Sequence, residues 1–250
     1  MHKNMSTYDE FADEYSAAMG ELGDDVHQTQ IDPFIYKTVG NIERKVICDL
    51  GFGNGYMARH FAGKGAKVYA SDISNKLISI AKSKTENKNV NYSVHNADNL
   101  TIYKDRMFDC VVMNMSIHYL NDLNKLFSEV SRVLRKDGVF TFSTNHFFRP
   151  NYPYSEWVTG NVEGEERLFI KVTDYLEKRS NKIISWWNKK STMMIYNHTL
   201  QEFINGMSEH GLLTFKIFEP EPINSGQVFS LKLQRSHHIP TFIIIGARKI

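Results

Sequence analysis

Residues 46–62, Val-Ile-Cys-Asp-Leu-Gly-Phe-Gly-Asn-Gly-Tyr-Met-Ala-Arg-His-Phe-Ala, decide the fold. The run at 46–50 is rich in β-formers and lacks polar alternation, as a strand buried on both faces of a parallel sheet does. It leads directly into Gly51-Phe52-Gly53-Asn54-Gly55 and then into a helical pattern. Glycines in such a turn allow φ > 0 and let a ligand approach the main chain. The helix that follows presents unpaired N–H groups to the crevice. The spacing is G-x-G-x-G, which differs from the G-x-G-x-x-G of dinucleotide enzymes. The stretch therefore predicts the first βα unit of an α/β domain, with a ligand at its turn.

The same strand-to-turn pattern repeats down the chain. A second strand at 67–71 ends in Asp72, about twenty residues past the glycines, where a carboxylate can accept from both ribose hydroxyls of a nucleoside. Ser74 is placed as an N-cap for a helix whose buried stripe is Leu77, Ile78 and Ala81. A third strand at 90–94 leads into His95-Asn96-Ala97-Asp98-Asn99-Leu100. A fourth, at 108–114, ends in Asn114-Met115-Ser116-Ile117-His118. Leu123, Leu126, Phe127, Val130, Val133 and Leu134 then mark an amphipathic helix. Lys136-Asp137-Gly138 reads as a tight turn before a fifth strand at 139–144, and 213–218 with 241–246 read as closing antiparallel strands. Ahead of all this, 7–19 carries apolar residues at helical spacing, with Thr7 and Glu10 related as in a capping box.

The 250 residues suffice for one large α/β domain. No run approaches the roughly 18 apolar residues of a membrane span, and the first ten residues lack a signal-peptide core, so a cytoplasmic protein is expected. Cys48 and Cys110 fall in predicted strands and read as core thiols, and no cysteine spacing suits a metal. A net charge of +2 gives no field for a polyanion, which argues against nucleic acid. Acids dominate residues 1–40 and bases the end of the chain, each reading as a solvated face.

Residues 146–198 exceed what the core fold needs, and they are rich in aromatics, among them Tyr175, Trp186, Trp187 and Tyr196. Pro150, Pro153, Gly160 and Gly164 break the first half, while 183–187 and 193–196 read as two short strands. Such a segment suits a cap over an apolar pocket, or a satellite core or dimer contact. Thr199 and Glu202 cap the helix that follows. His118 and His198, with His146 as a third, are the candidate bases near neutral pH, and their spread along the chain leaves their convergence open.

The G-x-G-x-G turn, Asp72, Asp98 and the end of the fourth strand together resemble the class I S-adenosylmethionine (SAM) methyltransferases, over about residues 40–145 and the closing strands. The resemblance implies a seven-stranded, mostly parallel sheet flanked by helices, in one domain with an N-terminal lid at 1–40 and a cap at about 146–198. SAM would be the cofactor, S-adenosylhomocysteine the product, and no metal is expected. Gly51, Gly53 and Gly55 would cradle SAM, and Asp72 with Ile73 would meet its ribose. Asp98 and the neighbouring Asn99 would meet its adenine, and Asn114 would complete the site. Tyr15, on a helix folded over the cofactor, would touch it, and Tyr8, His118, Trp186, Trp187, Tyr196 and His198 would face the acceptor. No Asn/Asp-Pro-Pro-aromatic tetrad stands at 114–117, unlike enzymes that methylate exocyclic amines of DNA bases. Phe52 departs from the small residue usual at its position. The reading that follows is methyl transfer to O or N of a small aromatic or heterocyclic molecule, by a monomer or homodimer. The alternatives are an RNA or protein methyltransferase, or a non-catalytic SAM-binding module.

Overall fold

The computed structural model describes residues 5–148, 155–177, 180–185, 188–221 and 239–250. Five parallel strands open the sheet: β1 (Val46–Leu50), β2 (Lys67–Asp72), β3 (Val90–Val94), β4 (Phe108–Met113) and β5 (Leu134–Asn145). Two hairpins follow, β6 (Ser155–Val162) with β7 (Glu165–Val172) and β8 (Ser180–Ile184) with β9 (Thr192–Tyr196). β10 (Leu212–Phe218) and β11 (Phe242–Lys249) complete the main sheet, in the order β10-β11-β5-β4-β1-β2-β3. β11 runs antiparallel to both β5 and β10. The strand order reverses between β1 and β4, and open α/β sheets form their ligand crevice at such a switch point.

Pleating sends alternate residues of the central strands into two cores. Cys48, Leu50, Val111 and Met113 face α6 (Leu123–Val133) and α7 (Leu200–Glu209) through Leu126, Phe127 and Phe203. Ile47, Cys110 and Val112 face α3 (Asp32–Val39) and α4 (Tyr56–Gly63) through Ile35, Met57 and Phe61. The two buried thiols thus lie on opposite faces of the sheet, as inert core residues. Ser74 caps α5 (Asn75–Ser83) by accepting from Leu77 N–H, and Thr199 and Glu202 form a full capping box on α7.

Four local expectations change. The N-terminal helix starts at Met5 and is broken at Phe11 into α1 (Met5–Glu10) and α2 (Ala12–Met19), so Thr7 lies inside a helix and not at its N-cap position. Lys136-Asp137-Gly138 belongs to β5, which already pairs with β4 at Leu134. The register shift there and a left-handed Asp137 (φ +63°) absorb the extra residues as an irregularity in the strand. A π-helical turn at His27–Ile31 feeds α3, an element that composition alone did not mark. Glu163 and Gly164, both at positive φ, make the reversal between β6 and β7, so Gly164 closes a hairpin where the sequence suggested only breaks.

Candidate functional site

A cavity of about 440 Å³ opens at the C-terminal ends of β1, β2 and β4. Its floor is the glycine turn. Gly51 (φ +67°) and Gly53 (φ +61°) are left-handed, and a Cβ on them would stand 2.7 Å from the Ser116 side chain and from the Tyr15 hydroxyl, respectively. Gly55 lies off the cavity wall, where it caps α4 and brings it against Ala81 of α5. Phe52 turns away from the cavity to pack on Tyr92, with ring centroids 4.9 Å apart, so the bulky residue narrows nothing.

Asp72 and Ile73 line the cavity. The Asp72 carboxylate accepts from Gly53 N–H at 3.0 Å and from Ser74 N–H at 2.9 Å, so it locks the turn to the start of α5. Burial nevertheless pushes this carboxyl up to about 6, against the pull of those backbone donors. Past β3 the wall is made by His95, Asn96 and Ala97. Asp98 and Asn99 are absent from it; Asn99 is exposed and accepts from its neighbour Thr101 at 2.8 Å. The loop therefore presents a segment slightly earlier than the two residues expected.

Asn114 joins the cavity to the N-terminal segment. Its amide donates to Asp32 at 3.0 Å and to the Tyr56 hydroxyl at 2.9 Å, while its oxygen accepts from Ser143 Oγ at 2.5 Å. Met115, next along the wall, is held left-handed at φ +49° with its N–H on Ser143 Oγ, a conformation that persists only when its surroundings fix it. Two buried acids of this region escaped the sequence reading. Asp32, 2% exposed, also accepts from Tyr56 at 3.0 Å, and burial raises it to about 6. Asp49, 1% exposed, has no partner on Oδ2; burial first, then Asp72 and Asp32, push it up to about 8. The signal for Asp49 was an acid inside an otherwise apolar strand.

The cavity's other wall is aromatic and thioether. Tyr8 and Tyr15 come from α1 and α2, and Tyr8 meets both Tyr15 and Tyr119 edge-on, at 5.9 and 5.7 Å. Removal from bulk water raises all three hydroxyls, that of Tyr119 to about 12. Met193 and Met194 of β9 close this wall, and the Tyr119 hydroxyl donates to Met193 Sδ at 3.6 Å. The acids of this segment, Asp13 and Glu21 exposed as expected of a solvated face, also reach across to neighbouring elements. Asp9 accepts from Ser74 Oγ at 2.6 Å, Asp13 pairs with Lys76 at 2.6 Å, and Glu21 meets Lys84 and Arg59 at 2.6 and 3.2 Å.

His118, His198 and Tyr196 do not line this cavity. With His146 and Thr144 they bound a second hole of about 20 Å³, one layer behind Tyr119 and Leu120. The three histidines that the sequence could not relate thus converge. His198 Nε2 lies 2.7 Å from the Leu120 carbonyl, which can only accept, so Nε2 carries the proton and Nδ1 is the basic nitrogen of the neutral ring. His146 lies 2.9 Å from Glu219 through Nε2, and His118 Nδ1 lies 3.4 Å from Thr144 Oγ1. Among the described residues no group of three or more His, Cys, Asp or Glu could hold a metal ion. Trp186 and Trp187 lie outside the described residues.

Residues 48–142 match the family model described as a methyltransferase domain. A Geobacillus sp. (strain WCH70) protein named as a methyltransferase is 27% identical over 162 residues, 63% of this chain and 65% of its own length. The malonyl-[acyl-carrier protein] O-methyltransferase of Hamiltonella defensa subsp. Acyrthosiphon pisum (strain 5AT) is 30% identical over 117 residues, 47% of this chain and 44% of its own. Relatives with shorter alignments include a ubiquinone/menaquinone biosynthesis C-methyltransferase and a mitochondrial arginine-hydroxylase, of which the chain spans 39% and 26%. The chain thus spans less than two thirds of the length of each of these curated relatives. In fold, a SAM-dependent methyltransferase structure from Mesorhizobium loti superposes with a TM-score of 0.73 at 23% identity, covering 87% of this chain and 96% of that one.

Proposed function

We propose that this chain, a class I SAM-dependent methyltransferase by its domain and its fold, holds SAM in the large cavity and methylates a small acceptor there. The observation that carries the reading is the pairing of a left-handed Gly51–Gly53 floor with the Asp72 carboxylate on the same cavity wall. That floor lets a ligand lie on the backbone, and the carboxylate faces it as an acceptor for hydroxyls. Ile73, Leu77, Val94 and Ala97 add the apolar slot that a purine ring needs. The residues therefore fit the cofactor, which when bound supplies a methyl group activated by its sulfonium charge.

The remaining chemistry belongs to the chain's own side chains. Methyl transfer is an in-line displacement, so holding donor and acceptor in register supplies much of the rate. Tyr8, Tyr119, Met193 and Met194 bound the end where an acceptor fits, in walls that favour a flat apolar molecule. The N-terminal helices, as a lid over 1–40, and the 146–198 insertion, as a cap, would exclude water from it. For an acceptor that must lose a proton, His118 and His198 are the candidate bases, reached only past Tyr119 and Leu120, which separate their hole from the cavity. We place the methylated atom as O or N. The named activities of the relatives, on O in one case and C in another, show that this core serves different acceptor atoms in those proteins. Of the seven bases between 167 and 190, Arg167 and Lys171 pair with Glu165 and Glu156, which offsets part of the charge an RNA substrate would use.

The test is labelled SAM offered with panels of phenols, amines and nitrogen heterocycles. Micromolar SAM binding and label transfer to one class support the reading. Binding without transfer to any acceptor makes the protein a SAM-binding module, and no binding overturns the proposal.

A further inference from the structure

Resting on that reading, we propose that Glu14 and Asn188 join the N-terminal lid to the cap, so that SAM, by settling the lid, also orders the wall that faces the acceptor. Glu14 lies in the first turn of α2, one residue before Tyr15 of the cavity wall. Asn188 lies in the reversal between β8 and β9, and β9 carries Met193 and Met194 of the same wall. Asn188 Nδ2 donates to Glu14 Oε2 across 174 residues of chain. The reversal fixes the direction of that bond. Asn188 Oδ1 accepts from the N–H groups of Lys190 and Ser191, each at 3.0 Å, and from the Ser185 hydroxyl. Backbone N–H groups only donate, so this end of the amide is its oxygen and the other end is Nδ2. One hydrogen of Nδ2 goes to Ser191 Oγ at 2.6 Å, and the second goes to Glu14. Ser185 and Ser191 are buried, so the turn aims this donor whether or not the lid is in place.

Inside the cavity, lid and cap meet a second time. The Tyr8 hydroxyl donates to that of Tyr119, which in turn donates to Met193 Sδ. That path runs through the turn after β4 and ends on a thioether, a weak acceptor. The bond from Asn188 to the Glu14 carboxylate is direct and charge-assisted, which makes it the stronger link. A settled lid therefore presents Glu14 to Asn188 and holds the β8–β9 reversal, and a settled cap does the same for the lid. The coupling is reciprocal: SAM raises affinity for the acceptor by the factor that the acceptor raises affinity for SAM.

Hydrogen exchange on the whole protein, with and without SAM, reads this coupling with no acceptor present. The reporters are the N–H groups of Ser185, Lys190 and Ser191, which are bonded within the reversal and do not line the cavity. SAM should slow their exchange about fivefold in the wild type. Asn188→Asp keeps the acceptor that the turn needs and sets a carboxylate against Glu14. SAM should then still slow exchange in α2, while its effect on the reversal falls away. Adding Glu14→Gln to Asn188→Asp restores a donor and an acceptor with their direction reversed, and the protection should return to within about twofold of the wild type. Equal protection of the reversal in the wild type and Asn188→Asp overturns the inference and leaves the proposed function standing. So does bound SAM that leaves the wild-type reversal unprotected, or a double variant that recovers nothing. Failure of SAM to bind the wild type overturns the two together.

Discussion

On one side of Tyr119 and Leu120 lies a cavity of about 440 Å³ flanked by buried carboxyls; on the other lies a hole of about 20 Å³ bounded by three imidazoles. The floor and one wall of the first are assembled from the ends of neighbouring parallel strands, so Gly51, Gly53 and Asp72 sit where the sheet puts them. The second draws on the turn after β4, the end of β5 and the lead-in to α7, segments joined only by the tertiary fold. On the proposed reading the acid side holds the ligand, and the imidazole side receives a proton if the acceptor must lose one. Substitutions should therefore separate the two sides, with ligand affinity moving on one and the pH dependence of turnover on the other.

The largest effect should come from the floor. Gly53→Val sets a β-branched side chain at φ +61° and drives its Cβ to 2.7 Å from the Tyr15 hydroxyl. SAM affinity should fall more than about a hundredfold, because strain and displacement of α2 both oppose binding. Asp72→Ala comes next, with at least about a tenfold loss from hydrogen bonds worth about 1.5–3 kcal/mol. Unchanged calorimetric affinity in either variant would remove the glycine–aspartate face from the cofactor site.

On the other side, His198→Gln should leave SAM affinity within about twofold, since His198 does not line the large cavity. If His198 is the base, turnover of a proton-losing acceptor should fall by about a hundredfold or more, the range for general-base catalysis, and lose its acid limb. If the pH–rate profile keeps its shape, the imidazoles serve the fold and the acceptor needs no base from them. Tyr119→Phe, on the dividing wall, should change acceptor KM only a few-fold, since it removes one hydroxyl bonded to Met193.

These contrasts track what a reader of the sequence can and cannot see. Gly51, Gly53 and Asp72 are legible because turn chemistry and strand length fix them within a few residues of one another. Asp32 meets Asn114 across 82 residues, and nothing local to either announces the other. The three histidines were visible one by one, while their meeting depended on how three loops pack. The loop after β3 was placed correctly, but the wall falls on His95, Asn96 and Ala97 because the chain turns just before Asp98. The break at Phe11 had no glycine or proline to mark it, and on either side of it Asp9 and Asp13 meet the start of α5.

The smallest effect concerns the ligand-free protein, and its sign runs against habit. Acids usually stabilise a fold as pH rises, because pairing lowers their pKa in the native state. Asp49 does the reverse: its folded value of about 8 lies above the unfolded value near 3.9. Between these values the folded chain holds a proton that the unfolded chain has released, so stability declines as pH increases through this interval. Asp32 and Asp72 act in the same direction up to about pH 6. Asp49→Asn removes the titration while keeping the shape, so the variant's stability should decline less between pH 5 and 8 than the wild type's. At pH 8 its melting temperature should exceed the wild type's by a few degrees, the scale set by about 1 kcal/mol in a domain of this size. Parallel melting curves for the two proteins across that pH range would mean that the charge of Asp49 is balanced by the fold itself, and the contrast between the two cavities would then rest on the imidazoles alone.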